Sequence, residues 1–175
     1  MSDLHHPIRI RSCVADDAAA FRDLRLEALR SQPEAFSADY ATDEQEPLSF
    51  WAERASHTAD DPEQTIYFAA ADETLVGMCG IRLGFSPKTR HSAIIWGVYV
   101  RPPWRGQRLA DRLIAASLAW AEQRQVQVVK LAVVTTNIAA IRCYARCGFT
   151  TYGVEPQAIC YDGQCYDELL MARRL

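Results

Sequence analysis

The chain has 175 residues, of which 49% are apolar and 23% charged, and it carries a formal net charge of −3. That length supports one buried core without metal or disulfide staples, and the composition excludes a disordered or collagen-like chain. The slight negative balance excludes the broad basic face that general nucleic-acid binding needs, so any basic site has to be local.

No apolar run approaches the roughly 20 residues of a membrane span. The start, MSDLHHPIRI, lacks the basic-then-apolar order of a signal peptide. The expectation is therefore a cytoplasmic protein with no membrane partner, folded as a single domain over residues 1–175. Cys13, Cys79, Cys143, Cys147, Cys160 and Cys165 are then expected as mostly reduced thiols. Cys143 and Cys147 share a helix face rather than a C-x-x-C spacing, and His5, His6, His57 and His91 are scattered, so no metal site is expected.

In chain order, Ile8 to Val14 alternates apolar and polar as a strand. Asp16 and Asp17 open a helix whose apolar positions include Phe21, Leu24 and Leu29, and Pro33 ends it. An acidic stretch broken by Pro47 follows, with a helix restarting near Ser49. It reads either as part of a binding cleft or as surface helices with loops. Thr65 to Ala71 and Leu75 to Gly84 read as two strands joined by a turn. Ser92 to Val100 is a third, interrupted by Gly97, which marks a bulge or a close backbone approach. A helix then runs to about Arg124, with Leu109, Leu113, Ala116 and Trp120 on one stripe. Val126 to Val134 is a continuous apolar strand, so strand, helix and strand form a βαβ unit with a right-handed parallel crossover. Asn137 precedes a short helix that stops at Gly148, and Asp162-Gly163 is a two-residue hairpin signal between two β-rich runs. Such a hairpin sets Cys160 opposite Cys165 at a separation compatible with a disulfide, and the compartment leads us to expect the pair close but reduced.

The turn between Val100 and the following helix concentrates Arg101, Arg105, Arg108 and Arg112 around Pro102, Pro103 and Gly106. A helix N-terminus offers free N–H groups and a positive dipole end, and glycine lets an anion approach the backbone. A solvated basic turn is the alternative reading of the same residues.

The order of the motifs goes further. Val98-Tyr99-Val100, the run Arg105-Gly106-Gln107-Arg108-Leu109-Ala110, and the series Asn137, Ala140, Tyr144, Gly148 and Phe149 resemble the GNAT superfamily of acyl-CoA N-acyltransferases. Arg108 stands where that family usually has a second glycine. The resemblance implies an α/β fold with a mixed, mostly antiparallel sheet, helices on both faces, and a central parallel pair of strands splayed to hold coenzyme A. It implies that Val98, Tyr99 and Val100 border the pantetheine arm and that Arg105 to Ala110 hold the diphosphate. Asn137 and Ala140 would lie at the cofactor, with Tyr144 as the acid that protonates the departing thiolate. The activity implied is transfer of an acetyl group from acetyl-CoA to a primary amine, expected to be a small molecule. A protein or peptide acceptor, or a CoA-binding module without transfer, are the alternatives, and a homodimer is one oligomeric state such proteins adopt.

A glutamate that some family members carry as base corresponds here to Ala132. The base then comes from elsewhere or is absent: Glu34, Asp39, Tyr40 and Glu44, from the segment expected to border the acceptor cleft, read either as candidates or as solvated side chains, and Trp51, Trp96, Tyr161 and Tyr166 either line that pocket or complete the core.

Overall fold

The computed structural model describes residues 7–175, the side chain of residue 60 excepted, so His5 and His6 lie outside the described residues. In chain order the elements are β1 (Ile8–Ser12), α1 (Ala18–Ser31), α2 (Tyr40–Gln45), α3 (Leu48–Asp60), β2 (Gln64–Ala71), β3 (Thr74–Leu83), β4 (Ser92–Val100), α4 (Leu109–Gln123), β5 (Val128–Val134), α5 (Ile138–Arg146), β6 (Thr150–Tyr161) and β7 (Gln164–Arg174). The acidic stretch contributes both α3 and the short α2, whose start is capped by Asp39 accepting from the Thr42 N–H at 3.0 Å.

The strands form one sheet in the order β1-β2-β3-β4-β5-β7-β6, antiparallel except where β4 meets β5. Period-two alternation divides the sheet's side chains between two cores. Ala69, Ala71, Leu131, Val133 and Met171 pack with Leu113, Ile114 and Leu118 of α4 and with Tyr144 of α5. Ile66, Phe68 and Ala70 pack on the other face with Phe21, Leu24 and Ala28 of α1 and Trp51 of α3. The mixed α/β sandwich expected from the sequence is therefore present. No helix among the described residues is long and apolar enough to cross a membrane.

Two departures from regular pairing shape the middle of the sheet. Against β3, Met78 pairs with Tyr99 and Gly80 with Trp96, so two steps on β3 face three on β4. The extra residue is the bulge at Gly97, whose φ of +64 is left-handed. On the other side, β4 pairs with β5 only from Ser92 to Ile94, while β5 stays paired with β7 up to Val134 and Glu168. The two parallel strands therefore part company after Ile94, each following its antiparallel neighbour.

At the far hairpin, Asp162 and Gly163 have φ of 48 and 75, the paired left-handed turn that the dipeptide predicts. The thiol expectation is corrected there, because Cys160 and Cys165 form a disulfide. The two-residue turn puts them directly opposite each other with Cα atoms 4.0 Å apart, close enough for the bridge to form without moving the strands. The other cysteines are free.

Gly80 ties this framework to the bulge. A Cβ built on it would lie 2.2 Å from the Trp96 indole. Gly80→Ala therefore has to push Trp96 aside, and urea denaturation is expected to show a loss of about 1–3 kcal/mol from overpacking. An unchanged midpoint would mean that Trp96 is free to move.

Candidate functional site

Where β4 and β5 separate, a cleft of about 520 Å³ opens between them. Its walls are β4 from Ile95 to Val100, β5 from Leu131 to Val134, the first turn of α4 and the inner face of α5. Beyond Ile94 the β4 edge facing β5 has no partner strand among the described residues, so its backbone groups are available to an extended ligand.

Of the residues expected at a cofactor, Val98, Tyr99, Val100, Arg105, Gly106, Arg108, Leu109, Ala110, Asn137, Ala140 and Tyr144 all line this cleft, and Gln107 does not. Leu109 is buried in the core beneath α4, so what it offers the cleft is its backbone. At Gly106, φ is +82 and a Cβ would meet no protein atom within 4 Å, which leaves the backbone open to a bulky anion.

The four arginines of the turn divide their tasks. Arg101 pairs with Glu27 at 3.0 Å, and Arg112 donates to the Ile8 carbonyl at 2.8 Å. Arg105 donates from Nε to the Val100 carbonyl at 3.0 Å and lies over the Tyr99 ring. Arg108 makes no side-chain bond to a described residue, which leaves it and the remaining Arg105 donors as the uncommitted positive charge at the α4 N-terminus.

Asp111, in the first turn of α4, puts a negative charge at the same place, and Arg146 answers it with two 3.0 Å hydrogen bonds. That pairing is the main reason the Asp111 carboxyl is held below its ordinary value. Asp111 also stands with Cys143 and Cys147, all three ligand atoms within 4.8 Å of one another, a grouping the sequence reading did not foresee. Burial pushes the Cys143 thiol up to about 12, so it stays protonated at neutral pH, and it donates to Asp111.

Asn137 does what its position before α5 predicts: its side-chain oxygen accepts from the Ala140 N–H at 3.1 Å while the residue also lines the cleft. Tyr144 is 7% exposed, packs edge-on against Phe149, and its hydroxyl bonds to no described residue. Burial raises its pKa far above the usual phenol value, so the O–H remains a neutral donor at any working pH.

On the acceptor side, the cleft is bounded by Gln32, Ala35, Phe36 and Trp96. The four acidic or phenolic substitutes for a base are not brought there. Asp39 is spent on its cap, Tyr40 and Glu44 hydrogen-bond each other at 2.6 Å on exposed α2, and Glu34 does not line the cleft. Trp51 is core and Tyr161 is exposed on the hairpin, while Trp96 lines the cleft as one of the two readings had it.

Two residues not singled out in the sequence stand behind this wall without lining the cleft themselves. Glu168 of β7 pairs with Val134, next to the pair of Leu170 with Ala132, and this row faces away from the α4 and α5 core. Burial, and then the facing carboxylate of Glu155, raise its pKa. Arg25 of α1 is buried with its guanidinium against Gly97 and Phe36. A glutamate in a terminal strand and an arginine in an amphipathic helix both read as surface residues. The signal that separates Arg25 is its place in the apolar stripe Phe21, Leu24, Ala28.

Arg108 itself adopts φ 55 and ψ 30, where a non-glycine residue pays about 1–2 kcal/mol. Glycine would relieve that at an entropic cost of ~0.5–1 kcal/mol. Arg108→Gly is therefore expected to raise stability by up to ~1 kcal/mol in urea denaturation. A loss of stability would show that the side chain supports the turn.

The description of the acetyltransferase (GNAT) family matches residues 22–149 of the chain. By sequence the chain is 32% identical over 95 residues to streptothricin acetyltransferase of Escherichia coli, covering 54% of this chain and 52% of that one. It is 31% identical over 141 residues to mycothiol acetyltransferase of Brachybacterium faecium, covering 81% of this chain and 40% of that one. The chain thus spans about half or less of the length of these curated relatives. By structure it resembles a GNAT acetyltransferase of Streptococcus pneumoniae with TM-score 0.86 at 19% identity, over 96% of this chain and 99% of that one. It also resembles yncA of Salmonella typhimurium, solved with its cofactor acetyl-CoA, with TM-score 0.77 at 20% identity, over 96% and 94% of the two chains. The cleft, the turn ahead of α4 and the match over most of the chain lead to one conclusion: this protein belongs to the acetyltransferase (GNAT) family.

Proposed function

We propose that the protein is an N-acetyltransferase that moves an acetyl group from acetyl-CoA to the primary amine of a small molecule by direct attack. The observation that carries this reading is the single cleft running from the α4 N-terminus, through the gap between β4 and β5, to the wall of Gln32, Phe36 and Trp96. Each part suits a part of the reaction. Free N–H groups at Gly106 to Asp111, with Arg105 and Arg108, suit a diphosphate. The unpartnered β4 edge suits the amides of a pantetheine arm. The side-chain wall at the other end suits a small amine, which favours that acceptor over a protein.

The chemistry needs two proton movements. The amine nitrogen forms a bond to the thioester carbonyl carbon while the carbon–sulfur bond breaks, so the nitrogen sheds a proton and the sulfur gains one. An alkylamine of ordinary pKa ~10.4 is neutral only to about one part in 2,500 at pH 7, which makes a proton acceptor valuable. We assign that role to Glu168, which lies just outside the cleft lining, pairs with Val134 and sits diagonal to Ala132, both of which line it, and forms no ion pair with a described residue. Tyr144, a neutral O–H donor on the α5 side of the same cleft, is assigned to the departing sulfur.

Thiol release from acetyl-CoA with an amine panel tests these assignments. Tyr144→Phe is expected to lower kcat by about 100-fold with acetyl-CoA binding retained, at the lower end of the usual contribution of a positioned proton donor. Unchanged turnover would remove Tyr144 from the chemistry.

Glu168→Gln is expected to lower kcat about 100-fold at neutral pH and to recover as rising pH deprotonates the free amine. Stability is expected to move the other way. A carboxyl whose folded pKa is raised binds its proton more tightly in the folded state, so the stability it gives is present below the ordinary carboxylate range and lost as pH rises through the folded value. Removing that charge should therefore leave Tm at pH 7 equal or higher. A variant both slower and less stable would point to a structural role instead.

A further inference from the structure

One cation beside the acceptor end of the cleft has no hydrogen-bond or ion-pair partner among the described residues. Arg25 is 6% exposed, and its Nε and Nη1 are both buried without a hydrogen-bond acceptor among the described residues. Its remaining nitrogen, Nη2, bonds to no described residue either. The guanidinium is held by its face instead, with Cζ 5.1 Å from the centroid of the Phe36 ring. The charged group that faces it most strongly is a second cation, Arg54, itself stacked 5.4 Å from the Trp96 centroid. Asp43 of α2 is the carboxylate that acts on both arginines, yet it forms no ion pair with either, and its Oδ2 is also buried without a partner.

A fold that gained nothing from Arg25 would bear the cost of a desolvated cation with unmet donors. The position indicates what is gained. Gly97 and Phe36 both line the cleft, and a Cβ built on Gly97 would come within 3.5 Å of Nη1. The bulge glycine therefore leaves only its backbone between the guanidinium and the point where β4 leaves β5.

We propose that Arg25 is the receptor for a carboxylate on the acceptor, so that the amine acetylated belongs to an amino acid or a close structural relative. The inference rests on the amine-acetylating function proposed above and narrows it to a substrate class. A planar guanidinium matches a carboxylate with two parallel N–H bonds, a fit that an ammonium or an amide donor does not reproduce. Nη2 takes the first oxygen, and Nη1 takes the second once the partly exposed Phe36 ring turns aside. Arg54 adds a second positive charge that an incoming anion relieves. Glu168 lies on the same face of the sheet, so a zwitterion enters with its carboxylate towards Arg25 and its amine towards the proposed base. Phe36 and Trp96 are left to contact its apolar part.

The test compares L-amino acids with their carboxamides and with the corresponding decarboxylated amines as acceptors, measuring thiol release from acetyl-CoA and correcting each rate for the neutral-amine fraction. The wild-type protein is expected to favour the carboxylate form by about 100-fold or more in kcat/KM, as a site with buried donors rejects an analogue that leaves them unpaired. In Arg25→Met, KM for the carboxylate acceptor is expected to rise about 100-fold, with the carboxamide little affected, so that the preference collapses. Arg25→Lys should retain part of it. Equal use of the three forms, preference for the uncharged ones, or a preference that survives in Arg25→Met overturns the proposal. Should Arg25→Met fail to fold, the wild-type comparison decides alone. Turnover of uncharged amines without carboxylate preference removes the Arg25 subsite and leaves acetyl transfer standing. Binding of acetyl-CoA without turnover of any amine removes both.

Discussion

The parallel pairing of β4 with β5 ends after three residue pairs, and the rest of the site depends on that. Hydrogen bonding normally zips neighbouring strands to their ends, because an unpaired edge in the middle of a sheet leaves N–H and C=O groups unsatisfied. Here each strand is more firmly committed to its antiparallel neighbour, β4 to β3 through the bulge at Gly97 and β5 to β7 along its whole length. The extra residue in β4 bends it away, and the gap that results is a slot lined by unused backbone groups on one side and side chains from both cores on the other. An extended chain of amides is the ligand such a slot pairs with best.

Around the slot the charges are sorted. At the α4 end, Arg146 neutralises Asp111, and Arg101 and Arg112 are occupied by Glu27 and by the β1 backbone, so the net field left for a ligand is that of the helix N-terminus with Arg105 and Arg108. At the other end stands the opposite arrangement, a deeply buried arginine that forms no ion pair with a described residue. Between them the two groups proposed to handle protons are both shifted chiefly by burial: Tyr144 is kept neutral, and the Glu168 carboxyl is raised above its ordinary value. They come from different faces of the sheet, Tyr144 from the α5 side and Glu168 from the opposite one.

The parts legible in the sequence are those written in local patterns. Strand alternation, the Asn137 cap, the left-handed Gly148 and the Asp162-Gly163 turn each depend on a few neighbouring residues, and the motif order located the cleft walls through α4 and α5. What sequence reading missed depends on register between distant strands or on burial. Glu168 becomes a candidate only when β7 is laid beside β5, and Arg25 only when Phe36 and Gly97 are seen to close over it. The four arginines of the turn look equivalent in sequence, yet two of them turn out to serve the fold. The same limit explains the cysteines, since the hairpin register was readable but the oxidation state of Cys160 and Cys165 was argued from an expected compartment. Cys143 and Cys147 meet Asp111 because α4 and α5 pack side by side, which no spacing within one helix reveals.

Amide hydrogen exchange with and without acetyl-CoA tests whether the divergence of β4 and β5 is the cofactor slot, because it reports on the backbone groups in question. Acetyl-CoA is expected to slow exchange in β4 between residues 95 and 100 and at the start of α4 between 106 and 111, while β1, β2 and the distal hairpin stay unchanged. Protection confined to other segments, or none at saturating acetyl-CoA, would contradict it.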